Sequence, residues 1–326
     1  MWEIVTGSRL HFGLFQPGLV SPGQRRFGGV GMMIDKPGLR VRASPAPESG
    51  ADGSRWAARI AGVLQECRYG WESNPRRFSV EAAAPEHAGL GTGTQLSLAV
   101  AKLQAVSTGH GEVDIETLAI QASRGRRSGI GTHGFVQGGL LVDGGPGPTG
   151  ALAPLIVRMT VPRQWRIVLA IPSGGRDWYG ERERHGFDQL DATDQGLTDR
   201  LCRLTLLGLL PALAEHDLDS FGEALFELNA KAGALFAGPQ GGVYAGPQVA
   251  AVVNFLRGLG VKGVGQSSWG PTVFGVVGDE DRASFVADQL RRQPTLQDGQ
   301  VIVSAPLNEG ARVVDLTVSG AYNRDR

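Results

Sequence analysis

Cysteine is nearly absent, with Cys67 and Cys202 as the whole complement. The two stand far apart, with no C-x-x-C pair and no histidine at zinc-site spacing. That excludes a disulfide scaffold and a structural zinc site, and it fits two buried thiols in a reducing cytoplasm. Excess charge of either sign is absent too, since 32 basic and 32 acidic side chains cancel. No overall field draws the chain to nucleic acid or to an anionic membrane, so an anionic ligand has to be met by a local site. Long apolar runs are also missing. The longest, 204–214, is short and broken by Pro211, too little to span a bilayer. The N-terminus carries Glu3 and Arg9 and lacks an apolar core segment, so no signal peptide is expected. No glycine is followed by Lys-Ser or Lys-Thr, which excludes a Walker P-loop. A formal G-x-G-x-x-G (Gly129, Gly131, Gly134) follows a helical stretch and leads toward a strand, the reverse of the dinucleotide-binding order. No Ser-His-Asp or metal-cluster spacing is visible.

Glycine is what the chain has in excess: 49 of 326 residues, about twice the usual share. The glycines cluster in particular loops, as needed where backbone takes positive φ or comes close to a phosphate. Alternation predicts strands at "WEIVT", "GGVGMMI", "LRVRAS", "RFSVEAA" and "GGLLVDGG". Helices are expected over 55–67, 94–107 and 114–123, the second apolar almost all round and therefore buried. The Gly/Pro-rich piece at 143–154 marks the best boundary, dividing the chain into 1–154 and 155–326. Beyond it come strands at "LIVRMTV", "WRIVLAI", "PTVFGVV", "QVIVSA" and "ARVVDLTV", with long helices over 194–214, 220–236 and 247–259. Strands and helices mix in both halves without regular alternation, which points to an α+β fold.

The most informative stretch is "APEHAGLGTGTQLSLAV" at 84–100. Gly89, Gly91 and Gly93 leave the backbone open, and Thr92 and Thr94 offer hydroxyls where the next helix presents unpaired N–H groups. Such a junction is an anion cradle. A tight strand-to-helix turn that binds nothing has the same composition, and the motif alone leaves both open.

That loop, with Pro85, Gly89, Leu90 and Gly91 in place, resembles the phosphate-binding motif Pro-x-x-x-Gly-Leu-Gly-Ser-Ser of the GHMP kinase superfamily, with Thr92 and Gly93 at the two serine positions. Further stretches, "SRLHFGLF" at 8–15, "RGRRSGIGTHGFVQGGLLVDGG" at 124–145 and "GVKGVGQSSWGPTVFGV" at 260–276, are similar to a non-kinase branch, the beta-ribofuranosylaminobenzene 5'-phosphate synthases. The resemblance implies a two-domain α+β GHMP kinase-like fold. It also implies a Mg²⁺-assisted reaction of phosphoribosyl pyrophosphate with 4-aminobenzoate or 4-hydroxybenzoate that releases pyrophosphate and CO₂ on the way to methanopterin-type cofactors. In several superfamily kinases an aspartate near the phosphoryl acceptor follows the Ser-Gly-Ile segment; here Gly131 stands in its place. A missing carboxylate base moves the expectation away from phosphoryl transfer, with an ATP-dependent kinase and a non-catalytic phosphometabolite-binding protein as alternatives.

Glycosyl transfer from a pyrophosphorylated ribose needs a grip on the leaving group and an arene held against the anomeric carbon, not a strong base. Arginine forks suit the carboxylate and the phosphates, and Arg9, Arg25, Arg26, Arg126 and Arg127 lie in or beside the matched stretches. His11 can orient substrate or shuttle a proton, or be an ordinary strand histidine. His87 can face the pyrophosphate or cap the turn, and Glu86 beside it can hold Mg²⁺. Gln266, Ser267, Ser268 and Trp269 combine an amide, two hydroxyls and an indole, suited to phosphate oxygens and an arene. "QGGVY" at 240–244 can complete that wall, and "WYGERERHGF" at 178–187 can form a lid or a solvated face. His133 stands where close relatives are expected to carry a small or apolar residue, which bears on pocket shape; His110, His185 and His216 read as surface or helix-end residues. A two-fold homodimer is the expectation from the prevalence of that symmetry.

Overall fold

A computed structural model describes every residue except 19, 21–22, 53–54, 68–74, 148–149, 151, 174–185, 188–189, 191–193 and 320–326. The lid segment and His185 thus lie almost wholly outside the described residues. Two sheets carry the fold. The first has seven strands: β1 (Trp2–Gln16), β2 (Phe27–Pro45), β3 (Gly50–Ala51), β4 (Arg76–Ala82), β5 (Leu140–Asp143), β6 (Leu155–Met159) and β11 (Arg312–Asp315). Its main path runs β11-β1-β2-β4-β3, while one end of β2 pairs instead with β5, which carries β6. The second sheet is antiparallel in the order β10 (Gln300–Ser304), β7 (Arg166–Ile171), β9 (Val273–Val277), β8 (Gly263–Gln266). The architecture is α+β, as the unalternating element order predicts.

The strands foreseen as separate pieces at 29–34 and 39–44 are one 19-residue strand, β2. Its Lys36-Pro37 segment looks like a break in the sequence, but β1 pairs with β2 on both sides of it. The division at 154/155 falls inside the first sheet, because the Gly/Pro-rich segment joins β5 to β6. The chain returns to that sheet at β11.

Helix α1 (Ala57–Cys67) turns Ile60, Val63 and Leu64 inward. Helix α2 (Thr92–Ser107) is buried along nearly its whole length, which explains its uniformly apolar sequence. Both pack with α3 (Ile115–Gln121) over one face of the first sheet, around Ile4, Val41 and Phe78. The other face, with Leu10, Phe12 and Met32, shares a core with Ile167 and Leu169 of the second sheet. That core is capped by α5 (Gln195–Leu204), α6 (Leu210–Ala214) and α7 (Leu218–Ala234). A π-helical turn at 205–209 separates α5 from α6, and Pro211, which has no N–H to donate, sits in the first turn of α6. The remaining helices that matter below are α4 (Ile130–Gln137), the short α8 (Ala237–Gln240) and α9 (Pro247–Gly258).

Of the two thiols only Cys67 is buried, its pKa pushed up to about 12 chiefly by burial. Cys202 is exposed, a correction to the sequence expectation: it lies on the solvent side of amphipathic α5, whose inner residues are Leu201 and Leu204. No helix among the described residues is long and apolar enough to cross a membrane.

Candidate active site

The glycine loop ends in α2. Gly91 is its N-cap in the left-handed region (φ 72°) and leaves the first N–H groups without a side-chain cap. The loop is clasped on both sides. The Arg9 amide donates to the Leu90 carbonyl at 2.9 Å, and the Ser267 hydroxyl donates to the Gly89 carbonyl at 2.8 Å. Ser267 also accepts from the His11 amide at 3.0 Å, and the Ser268 amide returns a bond to the His11 carbonyl at 3.0 Å. A Cβ at Gly89 would stand 2.2 Å from the Ser267 carbonyl oxygen, so only glycine allows this approach. Asn229 of α7 fastens the same region, donating to the Phe12 and Gln266 carbonyls at 2.7 and 2.9 Å and accepting from the Gln266 amide at 2.8 Å.

Against this junction opens a cavity of about 670 Å³. Arg9, His11, Arg26, Thr94, Arg126, Arg127, Gln266, Ser268 and Trp269 line it, all singled out from the sequence. Gln240 and Val243 of the "QGGVY" stretch complete one side. Sequence reasoning missed Ser123, Arg124 and Ser128 in the loop before α4, and the phenylalanines of an aromatic wall that includes Trp269. In that wall Phe187 lies edge-on to Phe27, Phe236 and Trp269 at centroid distances of 5.8, 5.6 and 5.5 Å. Arg127 stacks over Phe187 at 4.7 Å and Arg26 over Phe27 at 4.8 Å. Such stacking keeps guanidinium planes oriented beside an apolar surface.

The other sequence-selected residues lie outside that lining. Arg25 donates to the Gly145 carbonyl at 2.8 Å. Pro85, His87, Gly89, Leu90, Gly91, Thr92 and Gly93 form the loop behind the cavity, with Thr92 donating to the Pro85 carbonyl at 3.1 Å and Leu90 in the core. Glu86 is ion-paired with Arg59 at 3.9 Å. Ser267 is fully buried in the clasp just described. His133 is buried in α4 with Nε2 2.7 Å from the Ala153 carbonyl, so it shapes the 143–154 connector and not the cavity. Gly134 brings α4 onto β2, where a Cβ would meet the Met33 sulfur at 2.5 Å, a packing role for the formal G-x-G-x-x-G.

No acidic residue appears among the described lining residues, and no group of three or more His, Cys, Asp or Glu that can hold a metal occurs among the described residues. The described donors therefore do not form a magnesium cage. Gly131 places no side chain where the kinase aspartate is expected; a Cβ there would lie 3.8 Å from Arg9 Nε.

His11 is held well below the usual imidazole range, first by burial and then by the neighbouring Arg9 charge. Its ring is therefore neutral where an exposed histidine begins to charge. Below the ordinary pKa of 6.5 the unfolded chain binds a proton that the native chain refuses, so acidification costs stability there. Asp143 acts with the opposite sign just above 3.8, where its buried carboxyl keeps a proton the unfolded chain has lost. Urea midpoints measured from about pH 7 to 5.5 should fall less steeply in His11→Asn than in the wild type, with a difference of up to about 1.4 kcal/mol per pH unit. Parallel slopes would show that His11 does not carry this pH dependence.

Residues 209–295 match the family model for the GHMP kinases C terminal region. A beta-ribofuranosylphenol 5'-phosphate synthase of Methanothermobacter thermautotrophicus is 30% identical over 337 positions, covering 95% of this chain and 98% of that protein. One of Archaeoglobus fulgidus is 34% identical over 243 positions, covering 69% of this chain and 74% of that protein. The chain belongs to the beta-ribofuranosylphenol 5'-phosphate synthase family. Homoserine kinase from Cytophaga hutchinsonii superposes with a TM-score of 0.69 at 13% identity, covering 96% of both chains. The fold is thus GHMP kinase-like, and this chain builds its cavity on it without a carboxylate among the described lining residues.

Proposed function

We propose that the chain condenses phosphoribosyl pyrophosphate with a para-substituted benzoate, 4-hydroxybenzoate or 4-aminobenzoate, to a C-riboside 5'-phosphate, releasing pyrophosphate and CO₂. The observation that carries this reading is a cavity lined by five arginines (Arg9, Arg26, Arg124, Arg126, Arg127) and no carboxylate among its described residues, with an aromatic wall alongside. Arginine forks match phosphate and carboxylate oxygens two at a time, and the wall of Phe27, Phe187, Phe236 and Trp269 suits a flat ring. Arg26 and Arg127, stacked on that wall, are the natural partners of the arene carboxylate; Arg9, beside the glycine loop, is suited to the diphosphate.

In the proposed reaction the carboxylate-bearing ring carbon attacks the anomeric carbon, and the C–O bond to pyrophosphate breaks with its electron pair. The C–CO₂ bond then breaks and its pair restores the ring, so no proton is taken from carbon. A cavity of donors without a carboxylate base is compatible with that sequence. Mg²⁺ remains part of the proposal as an ion carried by the diphosphate oxygens, since the described residues offer it no cage. The product would be an early precursor of a methanopterin-type carrier.

The test is incubation with Mg²⁺, phosphoribosyl pyrophosphate and each benzoate, following pyrophosphate and CO₂. Equal amounts of both, formed without ATP, are the expected result, and the ratio of kcat/KM for the two acids decides the para substituent. ADP formation with small alcohols and no pyrophosphate would favour a kinase. Protection against heating without turnover in either assay would leave a binding protein.

A further inference from the structure

Beneath the cavity runs a chain of three side chains that sequence spacing hides. His11 Nε2 lies 3.2 Å from Ser128 Oγ, and the Ser128 hydroxyl donates to Asp143 Oδ2 at 2.8 Å. The Ile130 amide also donates to Ser128 Oγ at 3.3 Å. Asp143 is fully buried and accepts from the Gly129 and Gly145 amides, both at 2.9 Å. A serine hydroxyl has one proton to give and two lone pairs. Here the proton goes to Asp143, one lone pair takes Ile130 N–H, and the other is left for a proton on His11 Nε2. The hydrogen-bond count is complete only when His11 carries its proton on that nitrogen. A glycine at position 29 lets the ring settle against β2, since a Cβ there would stand 3.1 Å from His11 Cε1.

We infer that Asp143, acting through Ser128, is a positioning residue that holds His11 as the Nε2–H tautomer and thereby offers the Nδ1 lone pair to the ligand in the cavity. No hydrogen bond joins Nδ1 to another described residue. Every cationic side chain lining the cavity is donor-only, so His11 contributes the one neutral nitrogen base among the described lining residues, able to accept from a ligand hydroxyl or amine. The charged and titratable groups around this chain are Arg9 on the same strand, Arg126 and Arg127 in the loop that carries Ser128, and His133 of α4 near Asp143. The kinetic part of the inference rests on the synthase reading; the tautomer itself does not.

The decisive measurement is therefore made twice. Long-range ¹H–¹⁵N spectra of histidine-labelled full-length protein near pH 7, with His11 assigned by the signals lost in His11→Asn, should show Nε2 protonated and Nδ1 bare. Asp143→Asn can turn the chain around, its amide donating to Ser128 and Ser128 donating to Nε2, so His11 should switch to Nδ1–H. Ser128→Ala keeps Asp143 on its two backbone amides and removes only the link, so the tautomers should mix even if Asp143→Asn folds poorly. In the synthase assay both variants should lose roughly 10²-fold in kcat with KM for phosphoribosyl pyrophosphate within about threefold, the pattern of a misdirected base and not of a lost binding group. A wild-type His11 protonated on Nδ1, or a tautomer unchanged in both variants, would overturn the inference whatever the assay shows. A tautomer switch with kcat unchanged would overturn its catalytic half. Absence of any synthase activity in the wild type, with the tautomer as stated, would count against the synthase reading alone.

Discussion

Replacing Arg9 with alanine should lower kcat/KM for phosphoribosyl pyrophosphate by roughly 10²- to 10⁴-fold, on the order of two lost charge-assisted hydrogen bonds at about 1.5–3 kcal/mol each. Arg9, which lines the cavity, lies between two helix starts. A Cβ added to Gly91, the N-cap of α2, would stand 3.2 Å from its Nε, and one added to Gly131, in the first turn of α4, would stand 3.8 Å away. The start of α2, which no side chain caps, the helix dipoles and a guanidinium thus converge, and each favours negative charge. KM for the benzoate should change only a few fold, because the aromatic wall is built from other elements. Arg9→Lys keeps the charge and loses the fork, so it should fall between wild type and alanine. A kcat/KM within about threefold of wild type, in an alanine variant with native circular dichroism, would remove Arg9 from the diphosphate site.

The largest expected loss of stability follows from Gly89→Ala. Gly89 has φ +80°, where an L residue pays roughly 1–2 kcal/mol, and the new Cβ would stand 2.2 Å from a carbonyl oxygen. That oxygen belongs to Ser267, which joins the loop to β1 and cannot move without breaking the bond to His11. We expect a total of about 3–5 kcal/mol, and a melting temperature lower by roughly 6–15 °C. Gly62→Ala is the matched control: it lies inside α1 with open space where the Cβ would go, and should raise stability by up to about 1 kcal/mol. Equal melting temperatures for Gly89→Ala and wild type would mean that the clasp yields.

The apolar periodicity of α1, α2 and most strands was legible because each element's own burial writes it. Sequence reasoning failed where distant chain decides. The breakers at Lys36-Pro37 and Gly38 hide the continuity of β2, since the neighbouring β1 carries the pairing across them. Strand β8, "GVGQ", is not among the expected strands, yet Gly265 is there because Asn229 of α7 occupies the space a Cβ needs, at 2.6 Å. In the site, arginines and the glycine loop could be picked out by type. Of the aromatic wall only Trp269 could, because Phe27, Phe187 and Phe236 come from three other distant segments. Asp143 did leave a signal: a lone carboxylate ending the run "LLVD" between apolar strand and glycines has to find partners inside. Nothing in one sequence tells that Ser128 and His11 are those partners.

The bond from His11 to Ser267 spans 256 residues, and β1 has β2 on one side and β11, at 312–315, on the other. During synthesis the first strand made must wait for almost the last before both its edges are covered. Contacts of such sequence separation form slowly, and a waiting strand edge invites pairing with another chain. A protein shortened before Arg312 would therefore be expected to aggregate as it emerges from the ribosome, although every residue lining the cavity would be present.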